Sequence, residues 1–372
     1  MDQVRLGVIG CSGMAQNHMR RYYSELPRFR FAAASDLAPQ NLAAVVGTYG
    51  VEGFDNAEAM LDSGLIDAVF IATPHYVHPT YAIAAMERGL HVLTEKPVAV
   101  TARAADEVNN VHRRHPELVY AVMFQLRAAP KWRKLHELIQ NGELGEIQRM
   151  QWTATGWFRS QNYYDSGSWR ATWAGEGGGV LMNQCPHNLD MLCHLFGVPR
   201  RVTAHVGLAR YHDIEVEDEV TAVLEFENGS TGVFITSTGE APGTDRLEII
   251  GDRGRLTTSC DAAEPITFDQ TAVSVREFNY STDSRMGEPP VEHRLIELPE
   301  GVRHRAITEN FIEAILDGVP LVSPGDEGLH SVELANAMLM SGLENKPIDI
   351  PMDRDAYERL LEELIRKAKA KV

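Results

Sequence analysis

The beginning of the chain constrains its fold more than any other segment. A β-rich run over residues 4–9 leads without a break into a turn at residues 10–15 (GCSGMA), and a helical pattern follows. Gly10 and Ala15 match the first and third positions of the G-x-G-x-x-G/A turn that cradles a dinucleotide. Ser12 stands at the second position, where its small hydroxyl could donate to a phosphate. Strand-to-helix turns also use glycine for steric reasons alone. The glycine turn by itself is therefore weak evidence for a nucleotide site.

The first 124 residues continue this alternation of strands and helices. Further β-rich runs occupy residues 29–35, 68–73, 91–94 and 119–124, and amphipathic stretches separate them. One of these stretches begins at Thr101, which is the expected N-cap of its helix. Strands separated by helices indicate an α/β fold with a parallel, doubly wound sheet of the Rossmann type. We therefore predict a nucleotide-binding domain over residues 1–124.

The pattern changes to strands of a different kind after Pro130. Asn228-Gly229 lies between two alternating runs and predicts a β-hairpin with a type I′ turn. Consecutive strands joined by short turns indicate a largely antiparallel sheet. The strand-like runs cover residues 147–155, 201–208, 220–226, 231–238 and 247–250.

Helical segments accompany these strands and define a second domain. They are expected to cover one face of the sheet, which makes residues 125–372 an α+β domain for substrate binding and oligomerisation. The uncovered face indicates a homo-oligomer, a dimer or a tetramer. We expect residues 261–290 to be irregular, with an exposed loop at 286–290. The predicted helical segments are residues 131–140, 186–196, 307–316, 329–340 and 354–371.

Composition narrows the classes of protein and partner. A length of 372 residues exceeds one ordinary core and suits the two predicted domains. Lys and Arg number 35 against 52 Asp and Glu, a net charge of −17, so we expect neither nucleic acid nor membrane as a partner. The four cysteines form no CxxC pair, and no apolar run approaches the ~20 residues of a membrane span. Without a signal-peptide pattern, a cytoplasmic protein with reduced thiols is expected.

Asp36 makes the nucleotide hypothesis more specific. It ends the second predicted strand, about 20 residues after the glycine turn, where a carboxylate would bind the ribose hydroxyls of a dinucleotide. The alternative is a turn residue within residues 35–39 (SDLAP). A carboxylate at this position would repel the additional phosphate of NADP, and no Arg or Lys follows it before Arg88. NAD is therefore the expected cofactor.

Four motifs together carry a resemblance to a known family. They are residues 72–78 (ATPHYVH), residues 95–97 (EKP), the glycine run 177–179 and residues 183–190 (NQCPHNLD). In this combination the chain resembles the Gfo/Idh/MocA family of glucose-fructose oxidoreductase-like and inositol dehydrogenase-like enzymes. The resemblance implies an N-terminal Rossmann domain, a C-terminal domain whose open sheet mediates oligomerisation, and NAD(P)-dependent oxidation or reduction of sugar and cyclitol hydroxyls.

The resemblance also implies positions for the chemistry. It places Lys96 and His187 beside the nicotinamide and the reacting hydroxyl, and it implies a cis peptide bond between Lys96 and Pro97. Alcohol oxidation needs a base whose pKa lies near the operating pH, which suits His187, and a donor that favours the alkoxide, which suits Lys96. The chain departs from the family at Asn183, where Asp is frequent, and at His75, where Asn is usual. Expected cofactor-binding residues are Gly10, Ser12, Gly13, Met14, Asp36, Thr73, Pro74, His75, His78, Glu95, Lys96 and Pro97.

Aromatic residues cluster just before the glycine run. Flat rings suit the C–H faces of a pyranose, although any one of these aromatic residues alone is better explained by core or interface packing. Neighbouring arginines and amides would bind hydroxyls. We expect the substrate-binding residues to be Trp157, Arg159, Tyr163, Tyr164, Arg170, Asn183 and Asp190.

A metal site is a weaker interpretation of the same helix. His187, Asp190 and His194 share one helical face, but no ligand signature such as HExxH accompanies them. We therefore expect no metal, a packed His194, and an Asp190 that orients His187 or binds a substrate hydroxyl.

Three functions remain open at this stage. The leading hypothesis is an NAD-dependent dehydrogenase that acts on a secondary hydroxyl of a sugar, glycoside or inositol. The alternative keeps the fold and uses transient sugar oxidation to cleave a glycosidic bond without net NADH formation. A sugar or nucleotide sensor without catalysis is the third, and the presence of both Lys96 and His187 disfavours it.

Overall fold

The structure is a computed structural model that describes residues 2–370. Two compact units make up the chain. Unit 1 comprises the chain up to Ala128 together with Ala174–Gly177 and Val302–Val332, and unit 2 comprises Ala129–Trp173, Gly178–Gly301 and the chain from Glu333 onwards. The sequence-based boundary after residue 124 stays a prediction.

Strands and helices alternate in unit 1, and strands dominate most of unit 2. In chain order the strands are β1 (Val4–Ile9), β2 (Phe29–Ser35), β3 (Glu52–Phe54), β4 (Ala68–Ile71), β5 (His91–Thr94), β6 (Tyr120–Val122), β7 (Ile147–Ala154), β8 (Arg201–Leu208), β9 (Glu217–Glu225), β10 (Thr231–Ser237), β11 (Asp245–Gly251), β12 (Gly254–Thr258), β13 (Ile266–Thr271), β14 (Val291–Ile296) and β15 (Ile348–Asp349). The helices are α1 (Gly13–Tyr22), α2 (Pro39–Tyr49), α3 (Ala57–Leu61), α4 (His78–Met86), α5 (Ala102–Arg114), α6 (Pro130–Gln140), α7 (Gln161–Asp165), α8 (Val180–Asn183), α9 (Pro186–Phe196), α10 (Val275–Ser281), α11 (Arg303–Asp317), α12 (Gly328–Glu344) and α13 (Arg354–Lys369). The predicted end of the last helix at residue 371 lies outside the described residues.

Unit 1 contains a six-stranded sheet in the order β3-β2-β1-β4-β5-β6, and all its strand pairs are parallel. The predicted doubly wound α/β fold is confirmed. The short strand β3 escaped prediction because its three residues, one of them glycine, carry no alternating apolar pattern. Strand order reverses between β1 and β4, and ligands of open α/β sheets bind at such a switch point beyond the carboxyl ends of the strands.

Helix α11 completes the core of unit 1. The sequence pattern assigned this helix to the second sheet, and that assignment is wrong. Its apolar residues Ile307 and Phe311 belong to the same buried cluster as Val8, Met19 and Phe70. Amphipathicity predicts that a helix covers a core, but not which of two cores it covers.

Unit 2 contains a nine-stranded sheet in the order β14-β13-β12-β11-β7-β10-β9-β8-β15. Its pairs are antiparallel except for β7 with β10, so the predicted largely antiparallel sheet is confirmed. Trp152 on β7 packs against Trp132 of α6, with ring centroids 5.3 Å apart. Along β9, Val220, Ala222 and Leu224 are buried, whereas Val223 between them is exposed. One face of this strand therefore forms core and the other faces outward.

The structure corrects two expectations for unit 2. β9 and β10 form the predicted hairpin, but the predicted type I′ turn is wrong because only Gly229, with φ of +83°, has a positive φ and Asn228 does not. The Gly229 N–H donates to the carbonyl of Phe226, which gives the longer connection of a type I turn followed by a left-handed glycine. Residues 261–290 also contain β13 and α10, so only their end, residues 286–290, matches the expected exposed loop.

Other expectations hold in the described part of the chain. The peptide bond between Lys96 and Pro97 is cis. The four cysteines are thiols. Among residues 2–370, no helix is long and apolar enough to cross a membrane.

Thr101 caps α5, as predicted, because its hydroxyl accepts a hydrogen bond from the N–H of Ala104. We expect Thr101→Ala to lower the free energy of unfolding by ~1 kcal/mol, since the first turn of α5 loses this acceptor. Urea denaturation followed by circular dichroism measures the change. Thr48→Ala is the matched control, because the exposed Thr48 hydroxyl bonds only a carbonyl within α2. Equal stability of the two variants would contradict the capping assignment.

Candidate active site

The glycine turn after β1 approaches the neighbouring strand closely. Gly10 has φ of +90°, and a Cβ at this position would lie 2.6 Å from the carbonyl oxygen of Ala72. Ser12 is the N-cap of α1, yet its side chain makes no capping hydrogen bond. The hydroxyl therefore stays available beside the first turn of α1, where N–H groups and the helix dipole favour an anion such as a phosphate.

A cavity of about 370 Å³ lies at the carboxyl edge of the sheet in unit 1. Asp36 lines it directly after β2. The carboxylate accepts hydrogen bonds from the N–H groups of Cys11 and Ala38, each at 2.7 Å. The turn interpretation of Asp36 is thus correct, and the turn holds the carboxylate in place with further lone pairs open to a ligand. The lining residues are Ile9, Gly10, Ser12, Ser35, Asp36, Leu37, Ala38, Asn41, Ala57, Ala72, Thr73, Pro74, Val77 and Tyr81.

This cavity fits the adenosine side of a dinucleotide. It combines an acceptor for ribose hydroxyls at Asp36 with apolar walls that include Leu37 and Tyr81. Thr73 Oγ1 is buried and has no hydrogen-bond partner among the described residues, so it can bind a ligand atom. Five of the expected cofactor residues line the cavity: Gly10, Ser12, Asp36, Thr73 and Pro74. The other expected residues lie outside its lining: Gly13, Met14, His75, His78, Glu95, Lys96 and Pro97.

His78 connects the cavity to the turn that contains Lys96. One ring nitrogen lies 2.7 Å from the carbonyl oxygen of Thr73 and the other lies 2.8 Å from that of Pro97. Burial lowers the pKa of His78, although both carbonyls oppose this shift. Burial also lowers the pKa of His75 to about 3, helped by the charges of His78 and Lys96. His75 is therefore a neutral ring at neutral pH. The ring of His78 lies between the loops that follow β4 and β5, and as a neutral ring it donates to one of the two carbonyls.

Glu95 is a buried carboxylate that organises the same turn. Its Oε1 lies 3.1 Å from Nε2 of His18, and its Oε2 accepts the N–H of Lys96 at 3.2 Å. Burial opposes ionisation, but the hydrogen bond from His18 and the charges of His18 and Lys96 prevail and lower the pKa of Glu95 to about 2. Tyr22 bonds the other nitrogen of His18. His18 was not expected from the sequence, where its signal is a polar residue among the buried positions of α1.

In unit 2 the glycine run leads into α8. Glu217, fully buried on β9, accepts hydrogen bonds from the N–H groups of Gly179 at 2.8 Å and Leu181 at 3.0 Å. A Cβ on Gly179 would lie 1.9 Å from the carbonyl oxygen of Glu217, so only glycine permits this approach. The contact sets the start of α8 and hence the position of Asn183 at its end. Glu217 also escaped the sequence analysis because nothing local marks a strand glutamate as buried.

Asn183, His187 and Asp190 lie on α8 and α9. Asn183 and His187 are half-buried, and Asp190 is buried one turn after His187. His194, in the last turn of α9, stacks on His136 with ring centroids 4.3 Å apart. Among the described residues, no group of three or more His, Cys, Asp or Glu side chains is arranged to hold a metal ion.

Gln184 brings most of the expected substrate residues together. Its Oε1 accepts Arg159 Nη2 at 2.6 Å, and its Nε2 donates to Tyr163 Oη at 3.0 Å and Asn183 Oδ1 at 3.1 Å. Arg170 Nη1 donates to the same Tyr163 hydroxyl at 2.9 Å. One hydrogen-bonded cluster around Gln184 thus contains four of the expected residues, at positions 159, 163, 170 and 183. Gln184 itself was not among the residues expected from the sequence. Trp157 is half-buried beside Phe158 and takes no part in these bonds.

Tyr164 belongs to a second network that holds the backbone of Arg159. Its ring packs on His212 at 4.8 Å, and a ring nitrogen of His212 lies 2.8 Å from the carbonyl oxygen of Arg159. The other nitrogen lies 3.0 Å from the buried carboxylate of Asp218, which also accepts N–H groups of the loop before β9. His212 and Asp218 therefore position the backbone of Arg159. Nothing in the sequence around these two residues indicates this role.

Known proteins resemble both the Rossmann unit and the second unit of this chain. Residues 4–123 match the NAD-binding Rossmann fold of an oxidoreductase family, and residues 132–257 match the GFO/IDH/MocA C-terminal domain. An inositol 2-dehydrogenase from Rhizobium meliloti is 26% identical over 93% of this chain and 99% of its own length. A levoglucosan dehydrogenase from Pseudarthrobacter phenanthrenivorans is 24% identical over 94% of this chain and 99% of its own length.

A solved structure of high similarity is the WlbA dehydrogenase from Bordetella pertussis in complex with NADH and UDP-GlcNAcA. It superposes with a TM-score of 0.78 at 25% identity and covers 94% of this chain and 100% of the WlbA chain. With both family models matched and a nucleotide cavity of the required chemistry, the chain belongs to the Gfo/Idh/MocA oxidoreductases and binds NAD through its Rossmann domain.

Proposed function

We propose that the protein is an NAD-dependent dehydrogenase that oxidises a secondary hydroxyl of a sugar, glycoside or inositol. The observation that carries the proposal is the bridge made by His78, which ties Thr73 in the nucleotide cavity to Pro97 in the Lys96 turn. This contact links the turn that carries Lys96 to the loop that lines the cavity. The relatives support the substrate class, since two of them are named for inositol and levoglucosan and a third was solved with UDP-GlcNAcA.

The chain's own residues would share the work of proton removal. When bound, NAD supplies the hydride acceptor. Lys96 donates a hydrogen bond to the reacting oxygen and stabilises its developing negative charge. His187 accepts the hydroxyl proton. Asn183 cannot ionise, so it orients the hydroxyl or the imidazole without adding charge.

Other residues hold these groups and the cofactor. Glu95 and His18 fix the backbone on which Lys96 stands. Asp36 would bind the adenosine ribose, and Gly10, Ser12 and the start of α1 would receive the pyrophosphate.

Of the predictions about function, the first concerns the choice of cofactor. We expect the protein to bind NAD more tightly than NADP, because the Asp36 carboxylate repels the additional phosphate. Asp36→Ala should weaken NAD binding by about 10–100-fold, the usual loss for hydrogen bonds to a charged group. Isothermal titration with each cofactor measures this. Asp55→Ala, an exposed carboxylate outside the cavity lining, should leave both affinities unchanged, and tighter binding of NADP by the unmodified protein would overturn the assignment.

The second prediction concerns the catalytic pair. Lys96→Ala and His187→Ala should each lower kcat by about 10²–10⁴ while NAD still binds, and Asn183→Ala should cost less. Asn183→Asp should favour a protonated His187, so the acid limb of the activity profile should move to higher pH. Single-turnover hydride transfer is the measurement, with Lys134→Ala, at a half-buried lysine of α6, as control. Transfer near the normal rate in either alanine variant would place the chemistry elsewhere. Aglycone release without net NADH would favour the glycosidase alternative.

The third prediction concerns assembly. We expect a homodimer or homotetramer that forms through the outward face of the nine-stranded sheet, where Val223 is 47% exposed. Val223→Glu should shift the assembly towards the monomer, because it places a charge on that face. Light scattering across a dilution series measures the change in assembly. Val319→Glu, at an exposed valine of unit 1, is the control and should leave the assembly unchanged. A monomer at micromolar concentration would contradict the proposal.

A further inference from the structure

Two arginines converge on one tyrosine in unit 2. The guanidinium carbon of Arg159 lies 5.2 Å from the ring centroid of Tyr163, and that of Arg170 lies 4.7 Å from the same centroid. Both side chains are half-buried rather than fully solvated. Each packs by a cation–π contact, which holds its charge in a defined place.

Neither arginine has a carboxylate partner among the described residues. Other arginines of this chain, which has a net charge of −17, do form close ion pairs, as Arg5, Arg88 and Arg255 show. Two half-buried guanidiniums without an ion-pair partner can each form a charge-assisted hydrogen bond to an anionic ligand.

Acidic residues on the surrounding loops are engaged by other donors. Asp165 accepts Gln161 Nε2 at 2.9 Å, and Glu215 accepts the N–H of Trp173 at 3.0 Å. Asp218 binds His212 and the N–H groups of its own loop. These carboxylates shape the loops, and none of them forms an ion pair with Arg159 or Arg170.

The hydrogen bonds within the cluster leave several N–H and O–H donors unused. The Tyr163 oxygen already accepts from Arg170 and Gln184, so its own proton remains to be donated. Arg159 uses one bond to the carbonyl of Phe158 and one to Gln184, and a guanidinium has five N–H donors. The amide of Gln184 is occupied on both sides. A ligand that fits here must accept hydrogen bonds and carry negative charge.

The cluster lies next to the residues proposed for chemistry. Gln184 joins it to Asn183, and His187 follows four residues later on the adjoining helix. Asn183 is neutral, so it does not repel an anion held by the arginines. A molecule bound by this cluster would therefore extend towards His187.

We propose that the substrate is an anionic carbohydrate whose carboxylate or phosphate is bound by Arg159 and Arg170. Tyr163 and Gln184 hold the two guanidiniums in position, and the Tyr163 hydroxyl contributes a third donor. The proposal rests on the proposed dehydrogenase function, because it names the substrate class of that site. Uronic and aldonic acids represent the carboxylate source, and hexose phosphates represent the phosphate source.

The test compares matched substrates with the NAD-loaded protein. Glucose, glucuronate, gluconate and glucose 6-phosphate, and the same four forms of galactose, are assayed for NADH formation. We expect kcat/KM at least about 30-fold higher for an acidic member than for its neutral parent, the size of a charge-assisted contact. The carboxylate and phosphate arms distinguish the two sources of charge. Equal or better use of neutral sugars would overturn the inference and leave the dehydrogenase proposal standing.

Variants and direct binding provide the second arm. Arg159→Gln and Arg170→Gln should each raise KM for the acidic substrate by about 10–100-fold with unchanged NAD affinity, and Arg→Lys at either position should recover part of the loss. Arg276→Gln, at an exposed arginine of α10 that pairs with Glu146, is the control. Calorimetry of glucuronate, gluconate and glucose 6-phosphate on the NADH-loaded protein reports binding without turnover, and thermal melts verify folding.

The binding arm also separates the two proposals. Arginine-dependent binding of an acidic probe without any NADH formation would support the anion site and contradict the dehydrogenase function. NADH formation from acidic sugars that persists when both arginines are replaced by Gln would contradict the anion site alone. An absence of binding for every acidic probe would do the same.

Discussion

The close approach of Gly10 to the carbonyl of Ala72 is the contact on which the nucleotide half depends. A side chain on Gly10 would occupy the space of that carbonyl, and the positive φ of this residue would be strained in any other amino acid. Because β1 and β4 meet this tightly at the switch point, their loops diverge and open the cavity that Asp36 and Thr73 line. The dinucleotide site is thus a consequence of backbone packing, to which a few side chains add chemistry.

Three buried carboxylates organise the backbone around the candidate site. Glu95 holds the Lys96 turn, Glu217 holds the start of α8, and Asp218 holds the loop that fixes Arg159. A buried carboxylate is costly unless it is fully hydrogen-bonded, and each of these accepts at least one backbone N–H group. The same N–H groups would otherwise lie in irregular turns without partners. Structure near the chemistry therefore depends on pairing buried charge with loop backbone.

The substrate half has a different electrostatic character from the rest of the chain. Most surface charge is acidic, while the cluster around Tyr163 exposes guanidinium groups and a hydroxyl donor. Gln184 links that cluster to Asn183 through a single amide with both ends occupied. A neutral Asn183 beside two arginines favours a negatively charged molecule, whereas an aspartate there would reduce the net positive charge. Specificity and chemistry would then be coupled through adjacent residues of one helix junction.

The sequence by itself determined the elements and several of the chemical groups. Periodicity and turn residues predicted β1, β2, β5, β8 and α9 at their observed bounds, and the position of Asp36 after β2 indicated its place in the cavity. These features are local, since a strand, a cap or a glycine turn depends on residues close in sequence. The cluster around Tyr163 was partly anticipated because its aromatic and basic residues lie near one another in the chain.

Only the tertiary structure decided which distant residues meet. His18 reaches Glu95 across 77 positions, and Glu217 meets Gly179 across 38, with no periodic pattern to announce either contact. The structure likewise assigned α11 to the core of unit 1 and gave the Asn228-Gly229 hairpin its longer turn. The apolar pattern of an amphipathic helix does not identify the core against which the helix packs. A buried carboxylate cannot be told from an exposed carboxylate in the sequence. Long-range packing supplies that information because burial and hydrogen bonding are satisfied only in the complete fold.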